Sequence, residues 1–137
     1  MNVHIFDTDC YGPMWHGAYI KWLEIGRVDW LREHGIVLEK PGEGTIYPVV
    51  EQHLRFRSPA RLHDRLEIST ELALDRYRLV FKQTIAQKQS QKLVLEAETV
   101  CVVLDSQWKP QRRLPEALLA ILQPALAEET LAASPAC

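Results

Sequence analysis

The sequence predicts a two-layer α+β domain in which one long helix covers a face of an antiparallel sheet. Apolar residues first recur at three- and four-residue steps, and alternating, β-branched runs then continue to Leu104. The 137 residues are 47% hydrophobic and 25% charged, which favours one globular domain with a substantial core. We expect this domain to span residues 1–124 and the Ala-rich residues 125–137 to form a flexible tail.

The helix is predicted between Trp15 and Leu31. No proline follows Pro13 before its expected end, and His34 and Gly35 supply a C-terminal stop. Its apolar surface is wider than the stripe of an ordinary surface helix, which favours burial on most sides.

A short apolar strand is expected before the helix, and four long strands after it. "TIYPVVEQHLRFR" is the first of the four, with Pro48 at a strand start or a sheet edge. The segments "YRLVFKQTIAQ" and "LVLEAETVCVVL" are the last two strands of an antiparallel meander, and "QSQK" separates them. "PEALLAILQ" is typical of a short final helix.

The alternating segment "RLEISTELAL" is the second of the four strands. Its alternation predicts one buried face, made of Leu66, Ile68, Thr70, Leu72 and Leu74.

Composition argues against several classes of protein. A formal charge of −2, without basic runs interleaved with aromatics, gives no reason to expect nucleic acid as a partner. The first residues lack the plan of a signal peptide, and no apolar run reaches the roughly 18 residues of a membrane span, so we expect a cytoplasmic protein. The cysteines Cys10, Cys101 and Cys137 have no CxxC spacing, which favours free thiols over disulfides or zinc.

The segment "DTDCYGPMWHGAY" joins the predicted first strand to the helix and carries a family resemblance. Its "DTD", Gly12 and "WHGAY", with "WLEIGR" and "FRSPARLHDRLEI" further on, resemble the hotdog-fold thioesterases over roughly residues 3–122. The resemblance is to the 4-hydroxybenzoyl-CoA thioesterase-like group, which includes the acyl-CoA thioesterases encoded with the Tol-Pal system. It implies a hotdog fold, in which an antiparallel sheet of about five strands wraps around one long central helix.

The same resemblance implies hydrolysis of an acyl-CoA thioester to free acid and CoA. Asp9 is then the catalytic carboxylate, as general base or as a nucleophile forming an anhydride; the alternative is a helix-cap aspartate. Asp7 is expected to hold the loop through backbone hydrogen bonds. The first-turn N–H groups of His16 and Gly17 are expected to form the oxyanion site, with Gly17 allowing close approach of the thioester. The His16 imidazole would orient water or substrate, or simply pack. A Cys10 nucleophile is disfavoured, because it would only exchange one thioester for another.

Substrate contacts are expected from aromatic and basic side chains. Trp15 and Tyr19 are candidates to line the acyl site, although packing in the core is the more typical role of aromatic residues at this helical spacing. Arg61, Arg76 and Arg78 are candidates for the CoA phosphates by their resemblance to basic residues of the family, and solvated strand faces are the alternative.

No metal or redox cofactor is expected, since neither a ligand cluster nor a nucleotide-binding glycine motif is present. The resemblance implies a homodimer or homotetramer. The alternatives are an acyl-thioester hydratase or dehydratase, and a non-catalytic acyl-CoA-binding module. An aromatic acyl group such as dihydroxynaphthoyl and a short aliphatic one both stay open, as do CoA and carrier protein as the thiol carrier.

Overall fold

The computed structural model describes residues 1–9, 13–36, 45–111 and 118–120 of the chain. One long helix lies against an antiparallel sheet in the order β1-β4-β3-β2, which confirms the predicted α+β class. Among the described residues, no helix combines the length and the apolar character needed to cross a bilayer. The elements are a 3-10 turn (Ile5–Asp7), α1 (His16–Glu33), β1 (Val49–Phe56), β2 (Leu66–Asp75), β3 (Arg78–Gln87) and β4 (Leu93–Val102).

Helix α1 begins one residue later than predicted, because Trp15 is its extended N-cap. It ends at Glu33, two residues past Leu31 and directly before the predicted stop: Gly35 has a φ of 84°, a left-handed conformation that glycine adopts without strain. The prediction of burial on most sides is wrong for the single chain, since the sheet covers only one side and Ile20 is 42% exposed. The buried face consists of Ala18, Tyr19, Trp22, Leu23, Arg27 and Leu31.

The four long strands lie in the segments where they were predicted. β2 buries one face and exposes the other, as its alternation indicates. Pro48 directly precedes β1, which is an edge strand of the described sheet, so the proline costs no ladder hydrogen bond.

The predicted first strand is reduced to a single bridge between Asn2 and Arg65, so the described sheet has four strands rather than about five. The chain leaves the sheet early because local hydrogen bonds compete with the ladder. The His4 N–H donates to Asp7 Oδ2 at 3.0 Å, and the Asp7 N–H donates to the His4 carbonyl at 2.9 Å, which closes the 3-10 turn.

The core has two apolar clusters, one beneath each end of α1. Met14, Tyr19 and Leu66 belong to the cluster at its N-terminal end. Leu31 and Leu118 belong to the other. Residues 118–120 are helical, whereas the rest of the predicted final helix and the predicted tail, residues 125–137, lie outside the described residues.

The distance between α1 and the sheet is set at Gly26. A Cβ atom there would lie 2.9 Å from Ile68 Cγ2 and 3.0 Å from Gln83 Nε2. The same Gln83 amide donates to the Leu23 carbonyl at 2.9 Å, which ties the helix backbone to β3. The helix backbone therefore lies directly against side chains of the sheet at this position, and nothing larger than glycine fits unless the packing shifts.

We expect Gly26→Val to lower the free energy of unfolding by about 1–3 kcal/mol, because the added branches overpack the contact with Ile68. Urea unfolding followed by circular dichroism measures this loss. Glu24→Val, on the exposed side of α1, is the matched control and should cost only about 0.5 kcal/mol of helix propensity. Equal losses in the two variants would contradict the close approach.

Candidate active site

Two loop segments converge on the start of α1 through backbone hydrogen bonds. The Met14 N–H donates to the Ala60 carbonyl at 2.7 Å, and Pro13 forms an isolated bridge with Arg61. From the other side, the Trp15 N–H donates to the Asp7 carbonyl at 3.0 Å. The helix N-terminus is thus fixed by the segment before it and by the loop between β1 and β2.

Asp7 has the structural geometry expected of it. Its side chain is only 3% exposed, and one carboxylate oxygen accepts the His4 N–H. Its carbonyl accepts the Trp15 N–H, so this residue joins the 3-10 turn to the helix start.

Asp9 lies beside the start of α1 with an exposed side chain. Its N–H donates to the Pro13 carbonyl at 3.0 Å, and Thr8 forms a bridge with Met14. This short antiparallel pairing holds the carboxylate-bearing residue near the helix end. Cys10 and Gly12, which belong to the same motif, lie outside the described residues.

The first turn of α1 offers free hydrogen-bond donors. Trp15 caps the helix without a side-chain bond, and the first turn contains no acidic residue. In the described part of the chain, the N–H groups of His16 and Gly17 have no acceptor. Such donors, together with the positive end of the helix dipole, attract an oxygen that carries negative charge.

The space above Gly17 is filled by Trp15. A Cβ atom on Gly17 would lie 2.0 Å from Cζ3 of the indole, so the ring covers this glycine. The expectation that Gly17 admits the thioester is therefore wrong for this conformation, because its own chain already occupies that approach. The indole is 46% exposed and meets the His16 ring edge to face at a centroid distance of 5.8 Å. It forms a wall beside the donors.

A pocket of about 470 Å³, here called the N-terminal pocket, opens at this end of the helix. Tyr19 and Phe56 meet in it edge to face, with ring centroids 5.4 Å apart. Apolar walls with a few polar groups suit an organic ligand. The pocket is lined by Met14, His16, Tyr19, Phe56, Arg57, Ser58 and Pro59.

Tyr19 also holds the loop that closes this pocket. Its hydroxyl oxygen accepts the Ala60 N–H at 3.1 Å, and burial raises the pKa of the phenol. The hydroxyl therefore stays protonated and neutral at physiological pH, and the residue combines the core role and the lining role that its sequence position left open.

The arginines proposed for CoA phosphates fall into two separated groups. Arg61 is exposed on the loop that contacts Pro13, close to the N-terminal pocket. Arg76 and Arg78 lie at the hairpin between β2 and β3, at the opposite end of β2. The ten extended residues of β2 separate its two ends by about 30 Å. Arg78 pairs with Glu51 at 3.3 Å, so a single chain does not bring the three arginines together.

The sequence interpretation did not select Arg57 or Phe56 as site residues, although both belong to the basic stretch "HLRFRSPARLH". Arg57 lines the N-terminal pocket and donates through Nε and Nη2 to Glu96 Oε2, at 3.1 and 2.7 Å. The available signal was its position directly before "SPAR", the motif that supplies the loop at the helix start. In the described residues, no three His, Cys, Asp or Glu side chains are grouped as a metal site would require.

A larger depression of about 830 Å³ lies on the sheet. Its exposed lining includes charged residues of the sheet face turned away from α1, such as Lys82 and Glu98. Most of its lining residues are polar or charged and none belongs to the helix N-terminus, so the smaller N-terminal pocket is the better candidate for a reaction site.

Comparisons with known proteins agree with this geometry. The family model of the thioesterase-like superfamily matches residues 3–122. The acyl-CoA thioester hydrolase YbgC of Escherichia coli O6:H1 is 33% identical over 122 residues, which cover 88% of this chain and 90% of YbgC.

Solved structures share the fold. A probable thioesterase from Bartonella henselae superposes with a TM-score of 0.76 at 26% identity, covering 84% of this chain and 95% of that one. Slr0204 of Synechocystis, a 1,4-dihydroxy-2-naphthoyl-CoA thioesterase, gives a TM-score of 0.79 at 22% identity over 87% of this chain and 89% of its own. From the sequence match and these superpositions, the chain belongs to the thioesterase-like superfamily and has the hotdog fold.

Proposed function

We propose that this protein hydrolyses acyl-CoA thioesters in the N-terminal pocket, with Asp9 as catalytic carboxylate and the first turn of α1 as oxyanion site. Family membership makes it a thioester hydrolase, and the likeness to YbgC supports CoA esters as substrates. One observation carries the proposal: the N–H groups of His16 and Gly17, which have no acceptor among the described residues, lie beside a pocket with apolar walls, with Asp9 held next to them.

The thioester carbonyl oxygen accepts hydrogen bonds from the helix end and gains negative charge as the carbonyl carbon is attacked. Since Trp15 covers Gly17, the ester approaches from the side of His16. When the tetrahedral intermediate collapses, the C–S bond breaks and CoA leaves as a thiolate, which needs little acid assistance because thiols are fairly acidic.

Asp9 acts by one of two routes. As a general base it takes a proton from water while the hydroxide adds to the carbonyl carbon. As a nucleophile it forms a mixed anhydride that water then hydrolyses. Both routes need an ionised, accessible carboxylate, and the exposure of Asp9 suits either.

Arg61 and Arg57 supply positive charge for the CoA phosphates around the pocket entrance. Arg61 is exposed, whereas Arg57 already pairs with Glu96, so Arg61 is the stronger candidate.

A homodimer formed through β1 explains how the distant arginines could serve the same site. The outer edge of β1 has no neighbouring strand in the described sheet, and Val49, Val50 and Phe56 are exposed. When two copies pair their β1 strands antiparallel about a two-fold axis, the Val49 end of β1 in one copy lies beside the Phe56 end of β1 in the other copy. The hairpin that carries Arg78 belongs to the Val49 end, so it approaches the partner's pocket.

The reaction as written needs no metal or redox cofactor, and the chain's own groups supply each step. The cytoplasmic location remains a prediction from the sequence. Aromatic and short aliphatic acyl groups both fit a pocket of this size, and a carrier protein in place of CoA stays open.

Asp9→Asn should lower turnover about 100-fold or more, because the amide keeps the size of the side chain but provides neither base nor nucleophile. Release of free thiol from a panel of acyl-CoA esters measures the loss. Asp7→Asn is the matched control: it should act mainly on the free energy of unfolding, since Asp7 is buried. Near-normal turnover in Asp9→Asn would refute the assignment.

Two changes at His16 separate its backbone from its side chain. His16→Ala should lose less activity than Asp9→Asn, because the N–H donors of the helix end remain. His16→Pro should be about 100-fold worse than His16→Ala, since each oxyanion donor contributes about 3 kcal/mol. Proline fits the first helical position, so helix content should not change.

Single-turnover rates, with circular dichroism as the control for folding, measure this order. If His16→Ala is as inactive as Asp9→Asn with its helix intact, the imidazole is a catalyst and the backbone account fails.

Arg61→Ala should raise KM for CoA esters several-fold with little change in kcat, because it removes binding at the nucleotide end. An N-acetylcysteamine ester lacks the nucleotide and should not respond, and Arg32→Ala at the far end of α1 is the matched control. Arg78→Ala, tested alongside, raises KM only if a second copy brings its hairpin to the pocket. An equal effect of Arg61→Ala on the truncated ester would show that Arg61 is structural.

A further inference from the structure

Arg27 is a buried cation that forms no ion pair in the described chain, although Glu24, one turn earlier on α1, attracts it at longer range. The residue is 8% exposed and points from α1 toward the sheet. Its Nη1 donates to Gln83 Oε1 at 3.3 Å and to Thr99 Oγ1 at 3.4 Å, both neutral acceptors. No carboxylate of the described residues lies within ion-pair distance of it, and burial lowers its pKa. A buried charge of this kind is costly unless an anion or several hydrogen bonds compensate it.

The remaining donors of Arg27 face accessible space. A guanidinium group has N–H donors on all three nitrogens, and no bond uses those on Nε and Nη2. Within the described chain, no fully enclosed side-chain nitrogen or oxygen lacks a partner, so these two nitrogens are not sealed in the core. They are available to a group that enters from outside.

An uncovered strip of β1 connects this cation to the N-terminal pocket. On the helix-facing side of β1, Phe56 is 54% exposed and Leu54 and Gln52 are partly exposed, because α1 packs toward β2. Phe56 lines the pocket at one end of the strip. At the other end, Gln52 Nε2 donates to Thr99 Oγ1 at 3.0 Å, the same oxygen that accepts from Arg27.

The length of the strip limits what can lie in it. The Gln83 amide bonds both the Leu23 carbonyl and Arg27, so the guanidinium lies at the level of Leu23 along α1. Seven residues of helix rise separate that level from the oxyanion donors of His16, which is about 11 Å. A hydrogen bond of about 3 Å at each end leaves roughly 5–6 Å between the thioester carbonyl carbon and the far oxygen of the acyl group.

We propose that Arg27, with Gln52 and Thr99, binds a carboxylate at the far end of the acyl group, so that the preferred substrates are monothioesters of dicarboxylic acids with about five carbons. This inference rests on the proposed thioesterase function and names its substrate class. The acyl carboxylate supplies the opposite charge that the described chain does not place within ion-pair distance of Arg27.

The test compares glutaryl-CoA with pentanoyl-CoA, which have the same chain length and differ in the terminal carboxylate. The wild-type enzyme should prefer glutaryl-CoA in kcat/KM by about 10-fold or more, the value of a charge-assisted hydrogen bond. Arg27→Met should abolish the preference by lowering kcat/KM for glutaryl-CoA far more than for pentanoyl-CoA. Lys82→Met, which removes an exposed cation on the other face of the sheet, is the matched control and should keep the preference.

Gln52→Glu keeps the proposal testable if Arg27→Met does not fold. The change is isosteric on a partly exposed edge strand, and the introduced carboxylate would occupy the position beside Thr99 and compete with that of the substrate. It should therefore lower the preference for glutaryl-CoA.

The two corresponding CoA thioethers, which cannot be hydrolysed, measure the same preference as a ratio of Kd values. No hydrolysis of either ester would refute the proposed function, and the thioether ratio would still decide the role of Arg27. A glutaryl-to-pentanoyl ratio that is the same in wild type, Arg27→Met and Gln52→Glu would overturn the inference.

Discussion

The structure depends on how the N-terminus of α1 is held. Two backbone groups of Ala60 do most of this: its carbonyl accepts the Met14 N–H, and its N–H donates to the Tyr19 hydroxyl. The helix end is fixed before any substrate binds, so its free N–H donors need no reorganisation when charge develops on a carbonyl oxygen. The same contacts place Tyr19 in the pocket wall, and in this way packing and the proposed catalysis share one set of bonds.

A second constraint lies halfway along the helix, where Gly26 and the Gln83 amide bring α1 into contact with the sheet. The polar groups buried there are tied to one another: Gln83 joins the Leu23 carbonyl, Thr70 and Arg27. Such a network fixes the height and rotation of the helix, because each partner would be left unsatisfied in another register. It also holds the Arg27 guanidinium against Thr99 of β4, which Gln52 of the edge strand β1 contacts as well.

Local pattern was enough to predict the helix, the four long strands and the edge position of Pro48, since periodicity and turn residues act over short distances. It failed for the first strand, where the bonds between His4 and Asp7 close a 3-10 turn instead of extending the ladder.

At the site, the motif indicated Asp9 and the helix start, and these residues do lie together. The indole of Trp15 over Gly17 could not be foreseen, because it depends on a rotamer. The separation of Arg61 from Arg78 depends on which ends of β2 the loops join, and charge along a sequence does not report this.

The central claim is that the helix N-terminus polarises the thioester carbonyl. The stretching vibration of that carbonyl group reports the polarisation directly. The measurement is isotope-edited infrared spectroscopy of an acyl-CoA labelled with carbon-13 at the carbonyl and bound to the Asp9→Asn protein. The account predicts a carbonyl stretching frequency below that of the ester in water, and a partial return toward that value when His16→Pro removes one donor. A bound ester whose frequency equals that in water, and that does not respond to His16→Pro, would contradict the account.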